Sequence, residues 1–506
     1  MSKLKTLNFL KEFSQRAKAK GKKIVLCHGV FDLLHIGHIK HFNEAKKFGD
    51  FLIVTITPDA YVNKGPNRPV FSSDLRLQAL AALESIDYVS ENIWPSAIET
   101  IKYLKPNIYC KGPDYQRLNE DITGKIEEEE KAIMSIGGKM GFTSDITFSS
   151  SNILNKFGNI YNENQISLLK KIKTNYDYKK IKSLIDNLKK LKVLLIGETI
   201  IDQYIFCEAL GKSGKEPVLV LKDLKLQQYS GGASAIARHL SDFCGSITFL
   251  SMLGENKEHE NFVKENLSRN IKTTYIYKKG SPTIVKKRYV DDINNNKILG
   301  VYSINDDKLN IKNEEQFQKN LIKLIPKHDL VIVADFGHGF ISKSAAKLIS
   351  KKSNSIALNA QINAANIGYH TMDKYEQVQC IVINEAELRH QFREKEGSLI
   401  HLMKKLSIKH KTMNVVVTQG KDGAILYNRK SGKIEVCPAF ASSIIDKVGA
   451  GDAMLALLSI SLHKGYDKSI SLFIGSLAAA QSVESIGTSK AVNKNQMLKT
   501  IQHLLK

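Results

Sequence analysis

The chain has 506 residues, 42% of them hydrophobic and 25% charged, with a formal net charge of +23. That balance excludes wholesale disorder and is enough for two or three domains with sizeable cores. No apolar run reaches the roughly 18–20 residues of a membrane span, and the start, MSKLKTLNFLKEFSQRAKAKGKK, is basic and amphipathic with no export-signal core, so a cytoplasmic address is expected.

The positive charge is spread along the chain. It reads first as a lysine-rich surface, next as attraction for phosphorylated small molecules, and least as nucleic-acid binding, since no basic arm or aromatic-interleaved stripe gathers it. The six cysteines (Cys27, Cys110, Cys207, Cys244, Cys380, Cys437) lie far apart with no C-x-x-C pair. On spacing alone they offer neither a disulfide framework nor a zinc site.

In chain order, short apolar runs at 23–28, 50–57 and 106–111 predict strands, separated by helix-like stretches at 38–48, 75–83 and 122–136. Alternation of this kind predicts a parallel sheet. The run Glu127–Glu130 reads as a solvated helix face. From 151 to about 190 the pattern is helical without a strand signal, and it is expected to connect two domains. Strands are predicted again at 192–197, 247–253, 329–334, 356–359, 380–384, 414–418 and 424–427. Two β-rich polar stretches, 200–229 and 283–302, predict a small antiparallel lid. The expected organisation is therefore a first domain over 1–155, a helical linker over 156–190 and a second domain over 191–506. The fold class is α/β, with two Rossmann-like parallel sheets.

The first candidate site lies in KIVLCHGVFDLLHIGHIKHF, read as strand, loop and helix. His35 falls in the loop and His38 at the helix start, where unpaired amides and the helix dipole favour a phosphate. Gly29 and Gly37 remove side chains where backbone meets ligand. Two imidazoles beside such amides suit charge stabilisation as a nucleotide's α-phosphate is attacked. Phe31 and Asp32 complete the G-x-F-D that precedes the histidines.

The second lies in IIDKVGAGDAMLALLSI, where Gly449, Ala450, Gly451 and Asp452 precede an apolar helix. Consecutive amides there suit a phosphoryl group in transit, and Asp452 is placed to accept a proton from an attacking hydroxyl. Gly231 and Gly232 in SGGASAIARHL are expected to present backbone to a sugar, and Asp202 to bind its hydroxyls. Asn384 and Glu387 in INEAEL suit Mg2+ or its water shell. Thr418, Gly420 and Gly423 in VTQGKDGAILY form a loop suited to lie along ATP.

The first set of motifs resembles the H-x-G-H nucleotidyltransferase family, cytidylyltransferase-like in wording, over roughly residues 21–157. The resemblance extends to Lys46, Arg76, Lys111 and Asp114, and to a serine/threonine loop with Thr147, Ser149 and Ser150. It implies that the histidines and Lys46 bind a triphosphate and that the late loop caps the nucleotide, with CTP or ATP as donor. The second set resembles the PfkB/ribokinase family of carbohydrate kinases over roughly residues 190–506. It implies a ribokinase-like fold, Asp452 as catalytic base, a metal ordered by Asn384 and Glu387, ATP as phosphoryl donor, and a β lid through which homodimers form.

Departures from that family's pattern are Ala235 where asparagine is usual, Lys447 in place of threonine, and Asn359 and Gln361 where an acid and a base are common. Together the halves resemble the bifunctional heptose-phosphate kinase/adenylyltransferases in reversed order. They imply an enzyme of nucleotide-sugar synthesis acting on a sugar phosphate and nucleoside triphosphates, with neither nucleic acid nor membrane as partner. The alternative is a nucleotidyltransferase whose kinase-like half only binds or dimerises.

Overall fold

The computed structural model describes residues 3–62, 68–112, 125–143, 161–362, 366, 367 and 369–505. The chain divides into two compact units, Met1–Asn162 with Leu498–Lys506, and Glu163–Met497.

The first unit is a five-stranded sheet of β1 (Ile24–Gly29), β2 (Phe51–Ile56), β3 (Tyr88–Glu91), β4 (Ile108–Lys111) and β5 (Lys139–Phe142), in the order β3-β2-β1-β4-β5. Every pairing is parallel. β1 is central and covered on both faces, which is why its sequence is a continuous apolar run and not an alternation. One face packs Phe42 and Ala45 of the helix Ile36–Lys46 with Leu77 and Leu80 of Ser73–Ala81. The other packs Leu7 and Leu10 of Leu7–Ala19 against Ile101 and Leu104 of Ala97–Leu104. From β1 the chain winds outward through β2 and β3, then returns to the other side of β1 for β4 and β5. That reversal opens a crevice at the carboxyl ends of β1 and β4, the usual ligand position in such sheets.

The second unit contains β6 (Lys192–Gly197), β7 (Thr199–Lys212), β8 (Leu219–Gly232), β9 (Ser246–Gly254), β10 (Ile271–Lys278), β11 (Ile284–Asp291), β12 (Lys297–Ser303), β13 (Leu330–Asp335), β14 (Ile356–Ala360), β15 (Cys380–Asn384), β16 (Asn414–Thr418), β17 (Ala424–Asn428) and β18 (Ile434–Cys437). Nine of these form the main sheet, ordered β10-β9-β6-β13-β14-β15-β16-β17-β18. It is parallel from β10 to β16 and antiparallel at β17 and β18. The helices Ala450–His463 and Lys468–Val483 are buried over most of their length and accordingly lack a polar face.

The lid is a separate sheet, β12-β11-β7-β8. It is mixed, not wholly antiparallel as expected: β7–β8 and β11–β12 are antiparallel pairs, but β7 and β11 run parallel. The reason is topological. β7 continues out of β6 and β11 out of β10, and those strands run the same way in the main sheet.

The helices Glu163–Asn175 and Tyr178–Asn187 fall within the second unit, burying Leu168, Leu169, Ile172, Ile181 and Ile185. The Gln165 amide donates to the Ala439 carbonyl at 2.6 Å, and the Tyr466 hydroxyl to that of Leu184 at 2.7 Å. Among the described residues no helix is long and apolar enough to cross a membrane.

Candidate active sites

In the first unit the loop after β1 turns at Phe31, whose φ of 46° is left-handed. Its ring lies under Gly29, where a Cβ would sit 2.9 Å from the ring carbon Cζ, so no larger residue fits without displacing the ring. His35 caps the helix Ile36–Lys46, its Nδ1 accepting from the Gly37 amide at 3.2 Å. One turn on, the His38 ring stacks on His35 with centroids 4.0 Å apart and meets the Phe31 ring edge-on at 5.5 Å. The two imidazoles thus stand together at a helix N-terminus at the carboxyl end of β1. The neighbouring β4 ends in Lys111, whose Nζ pairs with Glu129 at 2.9 Å, and Gly112 follows in open space.

Other expected contacts prove to hold the loops. The Asp32 carboxylate is buried, accepts from the Val70 and Phe71 amides at 2.7 and 3.0 Å, and pairs with Arg68. The buried Arg76 guanidinium donates to the carbonyls of Val30 (2.6 Å), Phe71 (3.0 Å) and Thr57 (3.0 Å) and pairs with Asp59. The two side chains fasten the segment around 68–71 to the histidine loop, a service that sequence spacing does not reveal. Lys46 is not brought to the histidines. It ends the same helix, about 12 Å beyond His38 at ~1.5 Å per residue, paired with Asp87 and donating to the Asp50 carbonyl at 2.7 Å. Asp114, Thr147, Ser149 and Ser150 lie outside the described residues.

In the second unit three carboxylates from distant sequence converge. Asp202 lies on β7, Glu387 in the first turn of Glu385–Phe392, and Asp452 in the first turn of Ala450–His463. Burial, then the charges of Asp202 and Glu387, push the Asp452 carboxyl up to about 7, with Lys286 opposing. Gly449 precedes this helix with a φ of 88°, and a Cβ there would meet Thr488 Cγ2 at 2.9 Å. Asp202 is buried and paired with Arg288 of β11. Gly231 of β8, which pairs with Ile200 two residues before Asp202, has no room for a side chain: a Cβ would lie 2.1 Å from Asp202 Oδ2. Gly232 (φ 57°) leads into the helix Ala233–Ser241.

Asn384 and Glu387 form a capping box. Asn384 Oδ1 accepts from the Glu387 amide at 2.8 Å, and Glu387 Oε2 accepts from that of Asn384 at 3.1 Å. Burial raises the Glu387 carboxyl to about 7. Each oxygen keeps acceptor capacity, and the all-oxygen donor set is hard. The pair therefore fits magnesium held through its water shell better than direct ligation. Thr418 ends β16, and Gln419 after it donates to Glu385 at 2.8 Å. Gly420 (φ 59°) borders open space, whereas Gly423 (φ 93°) packs so closely that a Cβ would lie 2.1 Å from the Cys437 carbonyl.

Several groups escaped the sequence reading. Asp446, six residues before Asp452, accepts from Tyr204 of β7 at 2.6 Å, pairs with Lys297 of β12 at 2.6 Å, and accepts from the Gly487 amide at 3.0 Å. It ties the glycine turn to the lid, and its place in the same IIDKVGAGD run was the available signal. Glu198, just after β6, accepts from the Phe336 and His338 amides at 2.9 and 3.1 Å. Burial and then the Asp335 charge raise it to about 7. Asp335, ending β13, pairs with Lys374 and accepts from the Tyr375 hydroxyl, both at 2.6 Å. An acid and a base thus stand beside the strand that carries Asn359, whose amide donates to the Val382 carbonyl at 2.9 Å, while the Gln361 amide donates to the Asp335 carbonyl at 2.9 Å.

A parallel sheet with a β lid, and a glycine turn delivering an aspartate to a helix N-terminus, define a carbohydrate-kinase architecture. Residues 190–495 match the pfkB family carbohydrate kinases, and the chain belongs to that family. Residues 26–185 match the cytidylyltransferase-like family. Among curated proteins the chain is 38% identical over 141 residues to the bifunctional protein HldE of Aliarcobacter butzleri, covering 27% of this chain and 29% of that protein. To HldE of Geobacter metallireducens it is 37% identical over 165 residues, covering 32% of each. These matches span under a third of the relatives' length. Among solved structures, Escherichia coli phosphofructokinase-2 aligns at 14% identity and a TM-score of 0.49 over 63% of this chain and 99% of that one.

Proposed function

We propose that this chain catalyses two consecutive steps of nucleotide-sugar synthesis. In the second unit the Asp452 carboxylate removes the proton from a hydroxyl of a sugar or sugar phosphate, and that oxygen attacks the γ-phosphorus of ATP, releasing ADP. The amides at 449–452 receive the charge on the transferring group. Asp202 and the backbone at Gly231 and Gly232 hold the acceptor, and the turn at Thr418 and Gly420 borders the nucleotide. Asn384 and Glu387 would hold magnesium through its water shell, and the ion would neutralise phosphate charge there. In the first unit a sugar-phosphate oxygen attacks the α-phosphorus of CTP or ATP and pyrophosphate leaves. His35 and His38 stabilise the charge that develops, with Lys111 at the end of the neighbouring strand β4. The observation that carries the kinase half is the convergence of Asp452, Asp202 and Glu387 at one helix terminus.

The chain is further proposed to form homodimers through its lid. The edge strand β12 is exposed along its whole length, and Leu219, Leu224, Leu226, Leu299 and Val301 are 45–56% exposed on the lid. Exposed strand edges and exposed apolar side chains of this kind are commonly covered by pairing with a second copy.

The purified chain, offered ATP, CTP and a panel of sugars and sugar phosphates, tests the bifunctional reading through ADP and pyrophosphate release. Asp452→Asn is expected to abolish ADP release alone, and His38→Ala pyrophosphate release alone. Ala235 and the exposed Lys447 favour a second reading, in which the kinase-like unit binds without catalysing. Pyrophosphate with no ADP from any acceptor supports it.

A further inference from the structure

Cys27 and Cys110 are 83 residues apart in sequence, but β1 and β4 pair in a register that sets them directly opposite each other. In a parallel pair, residues in register project to the same face, and here that face carries the helix Ile36–Lys46. His41 of that helix completes a cluster: its ring nitrogen and the two Sγ atoms all lie within 4.8 Å of one another. This corrects the inference from cysteine spacing, which did not foresee that strand pairing would bring two thiols and an imidazole together.

We propose that Cys27, Cys110 and His41 form a zinc-binding site beneath the histidine loop of the first unit. The donor set, two thiolates and one imidazole, is borderline-soft and matches zinc and not magnesium or calcium. Both sulfurs are free thiols, buried among apolar neighbours. In such surroundings Zn2+ with two thiolates and a neutral imidazole forms a complex of zero net charge, and binding releases the thiol protons to solvent. The histidine is already oriented: its Nδ1 lies 2.9 Å from the Thr143 hydroxyl, which fixes the ring and leaves Nε2 for the metal, as outer partners of ligating histidines commonly do. Tetrahedral zinc, with bonds of about 2.3 Å to sulfur and about 2.0 Å to nitrogen, holds its ligand atoms roughly 3.4–3.8 Å apart. The cluster therefore needs to contract by at most about 1.4 Å. Because His41 stands one turn beyond His38 and Cys27 two residues before Gly29, the metal would fasten the helix that carries the nucleotidyl-transfer histidines to the two strands that flank the crevice. Its fourth position faces no further protein ligand among the described residues and suits water.

Cobalt(II) titration of the reduced full-length chain tests this, because thiolate coordination gives a near-ultraviolet charge-transfer band and tetrahedral geometry gives intense visible bands. One equivalent is expected to bind with both signatures and to be displaced by zinc. Cys110→Ser and His41→Gln are expected to lose or shift the bands, while Cys244→Ser in the other unit keeps them. Far-ultraviolet circular dichroism of each variant verifies folding, and His41→Gln, at a half-buried position, serves if the serine variant fails to fold. A chain that binds no cobalt, or whose bands survive in folded His41→Gln and Cys110→Ser, overturns the proposal. So does a Cys27–Cys110 disulfide in oxidised protein whose reduced form takes up no metal. The readout is spectroscopic and independent of either catalytic step.

Discussion

Asp452 shows most directly how position sets chemistry here. A carboxyl pushed up to about 7 by burial and two neighbouring carboxylates is a far better proton acceptor near neutrality than one at its ordinary value. Kinase kcat should therefore rise with pH and level off above a midpoint near 7, and Asp452→Asn should lower it by roughly 10²–10⁴-fold. The same raised value costs stability. Between the ordinary carboxyl range and about 7 the folded chain holds a proton that the unfolded chain has lost, so folding must take one up, at a cost that grows as pH rises through that window and levels off above it. Thermal unfolding should find Asp452→Asn more stable than the parent at pH 8 and little different at pH 4. A parent advantage at pH 8 would contradict the assignment. Arg76 presents the opposite case, a residue of the nucleotidyltransferase resemblance that spends its donors on three carbonyls and Asp59. Arg76→Ala leaves those acceptors unpaired in the interior and is expected to lower stability by about 2–4 kcal/mol, measured by urea unfolding.

At the scale of elements, the central strands were readable and the edges were not. The predicted bounds of β6, β15 and β16 coincide with those observed, because each is buried on both faces and is written as an unbroken apolar run. The four strands that the sequence reading missed, β3, β5, β10 and β18, are the four edges of the two main sheets. β5 (KMGF) and β18 (IEVC) are only four residues long and only partly buried, so hydropathy gives them little signature. Turns at helix starts were legible because glycine is demanded there. Gly449 adopts a φ of 88° against Thr488, and Gly449→Ala is expected to cost about 1–2 kcal/mol and to depress kinase kcat more than it raises KM for ATP. A change confined to KM would show that the turn binds without stabilising the transferring group. What spacing cannot convey is lateral pairing, which is why the lid's parallel β7–β11 contact and the Cys27–Cys110 register emerged only in three dimensions.

At the scale of the whole molecule, two units each place a helix N-terminus at the carboxyl edge of a parallel sheet and arm it differently, one with imidazoles and the other with a carboxylate. The lid is the surface proposed for self-association. Leu219→Asp combined with Leu299→Asp is expected to convert a dimer to a monomer in sedimentation velocity without unfolding the main sheet. An unchanged sedimentation coefficient would remove the lid as the interface.

The two units act in sequence only if the phosphate made by one is consumed by the other. With γ-labelled ATP, unlabelled CTP and the acceptor, the intact chain should carry label into the diphosphate bridge of the nucleotide-sugar, and Asp452→Asn should do so only when given labelled sugar phosphate. Label that stops at free orthophosphate while a nucleotide-sugar accumulates unlabelled would contradict it.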